Sequence, residues 1–183
     1  MIQSGLQRRH RRRLQVIGSA FVALLALAAF APTVKAPLLI WNRTPSEPIG
    51  LYRRSFSPAA PGRLVAFIAP PAAFPYAERR LGHLHRVPIL KEVAAAAGDV
   101  VCTDDGALHI NGQWRAPIQT RDSEGAPLPR WTGCRALTSR EIFVYSQRIP
   151  NSFDSRYFGP IDLAMVKGVF APLITAPNRG KAA

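Results

Sequence analysis

A serine between two prolines is the chain's first candidate for a catalytic nucleophile to be weighed. It is Ser46, within the stretch RTPSEPIG, residues 43–50. Pro45 and Pro48 disfavour helical backbone in the residues that precede them, which places Ser46 on a stiff extended or turning segment. Such a serine is usually a plain turn residue, and it becomes a nucleophile only when a base lies within hydrogen-bonding distance.

Lys91 is the best candidate for that base. In the stretch VPILKEVAAAAGDVV, residues 87–101, strand alternation places Ile89, Lys91 and Val93 on one face. Apolar surroundings disfavour the charged ammonium, so they lower the pKa of a lysine from its ordinary value of about 10.4. The alternative is an ordinary solvated lysine on a strand.

The histidines offer no comparable site, because no serine, histidine and aspartate set stands out in the sequence. His83 and His85 form an H-x-H motif that could bind a metal, but no third ligand adjoins it. We therefore expect neither a metal nor a cofactor. The four histidines are His10, His83, His85 and His109.

An apolar segment follows a basic N-terminus. Residues 1–13 contain five closely spaced arginines, and residues 14–34 carry no charge. As a helix, this segment would be about 31 Å long at about 1.5 Å per residue, enough to cross a bilayer. The arginines predict a cytoplasmic N-terminus, a single-pass inner-membrane anchor and a periplasmic domain of residues 35–183. A cleaved signal peptide is the alternative, because residues 29–31 match the A-x-A cleavage pattern, and both interpretations export the domain.

The composition of the chain fits one mainly β domain beside that anchor. Its 183 residues are 48% hydrophobic, and the 17 prolines and absent helical periodicity indicate strands joined by long loops. Asn111-Gly112 predicts a tight hairpin turn. The segments 66–86 and 116–131 are expected to be loops. The predicted strands cover residues 63–69, 89–95, 99–103, 107–110, 113–116, 142–146 and 165–170.

The net charge of +13 raises the question of an anionic partner. Outside the N-terminal cluster, the positive charges are scattered and form no stripe interleaved with aromatic residues. We therefore predict no nucleic-acid partner.

Cys102 and Cys134 are the only cysteines in the chain. In an exported domain two cysteines can oxidise, so a disulfide between them is the favoured interpretation. Two unrelated buried thiols and a metal site are the alternatives, and no C-x-x-C motif or nearby histidine pair supports the metal site.

Three motifs together resemble a known family. They are S-x-P-x-G-x-Y at residues 46–52, K-x-V followed by G-D at residues 91–99, and NSFDSRYFGP at residues 151–160. In this order they resemble the type I signal peptidases, and more closely their conjugation-associated branch, the TraF-type pilin-maturing peptidases. Ordinary signal peptidases usually carry methionine at the position of Glu47 and a G-D-N-x-R sequence before the last motif. These departures speak against a general secretory role, and the S-x-P-x-G-x-Y spacing and the SFDSRYFGP ending favour the conjugation branch.

The resemblance implies a membrane-anchored, signal-peptidase-like β catalytic domain with a Ser/Lys dyad. Ser46 would be the nucleophile and Lys91 the general base. The Thr44 hydroxyl and the Ser46 backbone N–H would bind the oxyanion. Ser152 would hydrogen-bond the lysine ammonium and orient it. The residues expected to support the site structurally are Asp99, Asp154 and Arg156.

The same resemblance implies a serine endopeptidase that cleaves exported precursor proteins at the inner membrane. A conjugative pilin precursor is the expected substrate, with cyclisation of the product as an option. The alternatives are a general type I signal peptidase, a self-cleaving regulator of the repressor type, and an exported basic binding module without catalysis. Alanine at Ser46 or Lys91 would leave the activity of a binding module unchanged.

Overall fold

The computed structural model describes residues 37–82 and 87–176. The chain divides into two compact units, Met1–Lys35 and Ala36–Ala183, and the described residues all lie in the second. The predicted basic N-terminus, the predicted membrane anchor and the H-x-H motif fall outside the described residues. Within the described ranges, no helix is long and apolar enough to span a membrane.

The described residues form a mainly β structure, as the sequence predicts. Two short α-helices, α1 (Tyr76–Arg80) and α2 (Ser155–Phe158), lie outside the sheets, together with two single-turn 3₁₀ segments. The strands are β1 (Leu39–Asn42), β2 (Gly50–Ser55), β3 (Leu64–Phe67), β4 (Ile89–Ala95), β5 (Val100–Cys102), β6 (Ala107–Ile110), β7 (Gln113–Pro117), β8 (Cys134–Ala136), β9 (Glu141–Val144), β10 (Ile161–Asp162) and β11 (Val166–Thr175).

The strands form two antiparallel sheets. The larger has seven strands in the order β1-β2-β11-β3-β4-β9-β10, and the smaller has four in the order β7-β6-β5-β8. Strand β4 lies inside the larger sheet, where Lys91 is opposite Val65 of β3 and Val93 is opposite Val144 of β9. Pairing with β3 at Lys91 and with β9 from Val93 onward fixes the backbone of this strand, and with it the direction of the Lys91 side chain.

Buried apolar residues fill the core beneath each sheet. The side chains of Val65, Phe67 and Val93 are fully buried under the larger sheet, and Val101 and Leu108 under the smaller one. The face of β4 that carries Lys91 therefore turns inward, as the alternation of residues 89–93 predicts.

The predicted strands at residues 89–95 and 107–110 have the observed bounds, and the other predicted strands overlap observed ones. Asn111 and Gly112 form the β6–β7 turn with φ angles of 52° and 76°, which confirms the predicted hairpin. Part of the segment predicted as a loop at 66–86 is helical, because α1 lies within it. Strands β1, β2, β8 and β10 were not predicted, because their short stretches lack a clear alternation of apolar and polar residues.

Candidate active site

The nucleophile turn, residues 43–49, connects β1 to β2 and is organised by one side chain, Asn42. The Asn42 amide nitrogen is shared among the carbonyls of Thr44, Glu47 and Pro48, at 2.9, 2.9 and 3.0 Å. Its oxygen accepts hydrogen bonds from the backbone N–H and the hydroxyl of Thr44, at 3.1 and 2.9 Å. Asn42 therefore holds the backbone on both sides of Ser46.

Contacts from neighbouring segments hold the same turn. The Tyr52 hydroxyl donates to the Pro48 carbonyl at 2.5 Å, and the Ser146 hydroxyl donates to the Ser46 carbonyl. A Cβ on Gly50, whose φ is +151°, would collide with the Ile174 carbonyl on β11. The S-x-P-x-G-x-Y spacing thus has a local physical basis in a closely packed glycine and a tyrosine that binds back to the turn.

The side chains of Ser46 and Lys91 meet inside the domain. Each is 4% exposed, and Lys91 Nζ donates a hydrogen bond to Ser46 Oγ across 45 positions of sequence. Burial lowers the pKa of Lys91, the carboxylates of Asp154 and Glu47 oppose that shift, and Arg156 reinforces it. The net direction is downward, which favours the neutral amine that a general base requires.

Ser152 does not make the bond that the resemblance implied. Its hydroxyl is buried and has no hydrogen-bond partner among the described residues. Its carbonyl accepts from the Arg156 guanidinium at 3.0 Å, which fixes the backbone here. Lys91 Nζ is instead directed at Ser46. In this state of the site, orientation of the lysine comes from its strand and from the nucleophile.

Asp154 and Arg156 form a buried ion pair beside the site. The two carboxylate oxygens accept from Arg156 Nε at 2.8 Å and Nη2 at 2.9 Å, and the side chains are 0% and 1% exposed. The guanidinium also lies over the ring of Tyr145, 4.8 Å from its centroid. Asp154 accepts the backbone N–H of Ser146, whose hydroxyl binds the Ser46 carbonyl. The pair therefore connects the NSFDSR segment to the nucleophile turn.

Comparison with known proteins identifies the family. The family model for signal peptidase, peptidase S26, matches residues 13–173. This chain belongs to the peptidase S26 family. The plasmid transfer protein TraF of Escherichia coli is 34% identical to it over 172 residues, 87% of this chain and 93% of the relative. The conjugal transfer protein TraF of Agrobacterium tumefaciens (strain 15955) is 35% identical over 179 residues, 91% of this chain and 98% of the relative.

A solved structure of a signal peptidase I from Enterococcus faecalis V583 also matches, with a TM-score of 0.37 and 21% sequence identity. The match covers 63% of this chain and 98% of that one. The family match and the two TraF relatives make this protein a TraF-type S26 peptidase.

Asp99 of this S26 peptidase lies at the β4–β5 turn, where its carboxylate accepts from the Ala96 N–H at 2.8 Å and the Asn111 amide at 2.9 Å. Gly98 precedes it with a φ of +88°, a conformation that favours glycine. These contacts brace a turn. No contact joins Asp99 to Ser46 or Lys91 within the described ranges.

The two cysteines of the S26 peptidase lie opposite each other on β5 and β8 and form a disulfide. With Asp104, their sulfurs make up the sole group of three potential metal ligands found in the described part of the chain. Sulfurs joined to each other are not available as thiolate ligands. The bridge joins two strands of the smaller sheet.

Three further residues of the S26 peptidase belong to the site but were missed by sequence reasoning: Asn42, Ser146 and Glu47 in its electrostatic role. An asparagine two positions before a threonine is a common turn pattern and could have indicated Asn42. Ser146 had no signal, because its contact with Ser46 spans 100 positions. Glu47 stands next to the nucleophile in sequence, but its burial depends on the folded turn.

Proposed function

We propose that this peptidase cleaves exported precursor proteins with a Ser/Lys dyad in which Ser46 is the nucleophile and Lys91 the general base. The observation that carries the proposal is the buried contact between Lys91 Nζ and Ser46 Oγ. The names of the TraF relatives, a plasmid transfer protein and a conjugal transfer protein, support a role in conjugation. A conjugative pilin precursor is the substrate that fits this role.

The proposed reaction is acyl transfer. The neutral amine of Lys91 takes the Ser46 proton, and Oγ attacks the carbonyl carbon of the scissile peptide. The resulting ammonium then gives its proton to the leaving amine, and an acyl-enzyme remains on Ser46. Water, or the amino group of a peptide, resolves that ester with Lys91 again acting as base.

Thr44 is proposed to bind the oxyanion together with the Ser46 backbone N–H. Its hydroxyl lies 3.4 Å from Ser46 Oγ and donates to Asn42 Oδ1 in the resting site. The hydroxyl must turn from Asn42 toward the substrate oxygen as negative charge develops. That rotation exchanges one hydrogen bond for another with a charged acceptor, which is the stronger kind.

Thr44→Val keeps the shape of the side chain and removes its donor. We expect kcat to fall by about 100-fold, because one oxyanion donor typically contributes that much, while KM changes little. Steady-state cleavage of a precursor peptide measures both constants. Thr44→Ser is the matched control and should retain most of the activity. Equal activity of the valine and serine variants would exclude Thr44 from the oxyanion site.

The proposed location is the inner membrane, with the catalytic domain on the periplasmic side. Trp41 of β1, Leu51 of β2 and Ile174 of β11 stand in one row across three strands, and Trp41 and Ile174 are 60% and 68% exposed. Leu39, two residues before Trp41, shares that outward face and is 51% exposed. An exposed apolar face that begins four positions after Lys35 supports placing this edge of the domain against lipid.

Co-expression with a candidate conjugative pilin precursor tests the proposed function. With the native enzyme, mass spectrometry should find the shortened pilin, and with Ser46→Ala only the uncut precursor. A product lighter by one further water molecule would mean that the pilin's own amine resolves the acyl-enzyme. An equal yield of shortened pilin with both enzymes would rule out Ser46 as the nucleophile.

A further inference from the structure

Glu47, the residue after the nucleophile, is a buried carboxyl group that the reaction above does not use. It is 4% exposed, and its Oε1 accepts the backbone N–H of Glu92 at 3.3 Å. Its own carbonyl accepts from the Asn42 amide at 2.9 Å. Because Glu92 directly follows Lys91, the Glu47 side chain ties the nucleophile turn to strand β4 next to the base.

Three charged side chains act on Lys91 from two segments of the chain. Asp154 and Arg156 act on it from the NSFDSR segment, and Glu47 acts from the nucleophile turn. The Arg156 guanidinium donates two hydrogen bonds to the Asp154 carboxylate. These two groups shift the pKa of Lys91 in opposite directions. Arg156 thus counteracts the effect of Asp154 on the pKa of Lys91, because these two side chains form one ion pair. Glu47 is the carboxylate that acts on Lys91 from outside that ion pair.

The charges around Glu47 identify Lys91 as its main partner. Burial raises the pKa of Glu47 to about 7, and Lys91 is the charge that opposes this shift most strongly. The carboxylate of Glu92 and the guanidinium of Arg148 have smaller, opposing effects. The two buried groups, one acid and one base, therefore titrate as a linked pair.

This inference rests on the proposed Ser46–Lys91 mechanism. We propose that Glu47 is the electrostatic partner of Lys91, a positioning residue whose carboxylate stabilises the ammonium that forms when Lys91 takes the Ser46 proton. In that step the Oγ–H bond breaks and the proton moves to Nζ. The Oγ electron pair forms the bond to the substrate carbon, and the carbonyl π pair moves onto its oxygen. A fixed negative charge near Nζ favours the ammonium in a buried site.

The proposal defines which protonation state is active. Lys91 must be neutral to accept a proton, and Glu47 must be ionised to stabilise the product ammonium. Two protons must therefore leave the pair before the enzyme is competent. When log kcat/KM is plotted against pH, its acid limb should therefore rise with a slope approaching two per pH unit.

Glu47→Gln tests this dependence, because it keeps the shape of the side chain and removes the ionisation. Cleavage of a pilin-precursor peptide by the full-length enzyme is measured from about pH 5 to about pH 10. We expect the acid slope to fall from two to one, its midpoint to move to lower pH, and the alkaline plateau to fall by about 100-fold or more. Glu47→Asp should restore the slope of two. Glu92→Gln, on the other face of the same strand, is the matched control and should keep it.

A slope of one in the native enzyme, or a Glu47→Gln profile identical to the native one, would overturn the inference. These outcomes differ from failure of the proposed function, in which Ser46→Ala or Lys91→Met would still cleave.

A second readout does not depend on activity. Because the folded-state pKa of Glu47 lies above its unfolded value, its neutral form stabilises the fold at low pH, and that stability is lost as pH rises through about 7. The melting temperature of the native enzyme relative to Glu47→Gln should therefore fall between about pH 5 and about pH 8.

Discussion

Lys91→Met is expected to lower kcat for precursor cleavage by about 1000-fold or more while leaving the domain folded. Methionine fills a similar volume but cannot take the Ser46 proton, so the hydroxyl stays un-ionised. Adding Ser46→Ala to this variant should cost little more, because nucleophile and base act as one unit. Single-turnover cleavage of a labelled precursor peptide measures the chemical step directly.

Lys167→Met is the matched control for this experiment, because Lys167 is exposed on β11. It should cleave at the native rate. A native rate in Lys91→Met would instead remove the lysine from the mechanism. Stability offers an independent check, since a lysine with a lowered pKa binds fewer protons in the folded state than in the unfolded state. Native stability should therefore rise with pH toward the ordinary lysine pKa, and this rise should be absent in Lys91→Met.

Asp154→Asn is expected to destabilise the domain by about 3–5 kcal/mol, the usual cost of leaving a buried charge without its partner. Arg156 is 1% exposed, so water cannot replace the lost carboxylate. The asparagine also withdraws the negative charge that accepts the Ser146 N–H. Urea unfolding at neutral pH, followed by circular dichroism, measures the change in unfolding free energy.

An exposed ion pair provides the control for Asp154→Asn. Asp162 pairs with Arg140 at 3.1 Å, with side chains 42% and 73% exposed, and Asp162→Asn should change stability by about 1 kcal/mol or less. Replacing Asp154 and Arg156 together by leucine and methionine should destabilise less than Asp154→Asn alone, because no orphaned charge remains. If Asp154→Asn and Asp162→Asn lowered the unfolding free energy equally, burial of the Asp154–Arg156 pair would make no difference to its contribution to stability.

Much of the sheet structure could be predicted because its signals are local. The alternation around Lys91 and the Asn111-Gly112 turn depend on neighbours one or two residues away, and the structure confirms both. Strands β1 and β2 carried no such signal, and they became strands because β2 pairs with β11 at the far end of the chain. Long-range pairing of this kind leaves no mark in a short sequence window.

The features of the candidate active site likewise separate into those that the sequence predicts and those that depend on the folded chain. From the sequence by itself came the serine between prolines, the lysine on an inward strand face and the three motifs that resemble the signal peptidases. The tertiary structure alone decided that Lys91 Nζ reaches Ser46 Oγ and that Glu47 is buried beside the base. It also decided that the Ser152 hydroxyl has no hydrogen-bond partner in the described part of the chain. Residue types and spacings determine which groups are available. Their distances and their pKa values depend on burial and on contacts across 45 or more positions, which only the folded chain creates.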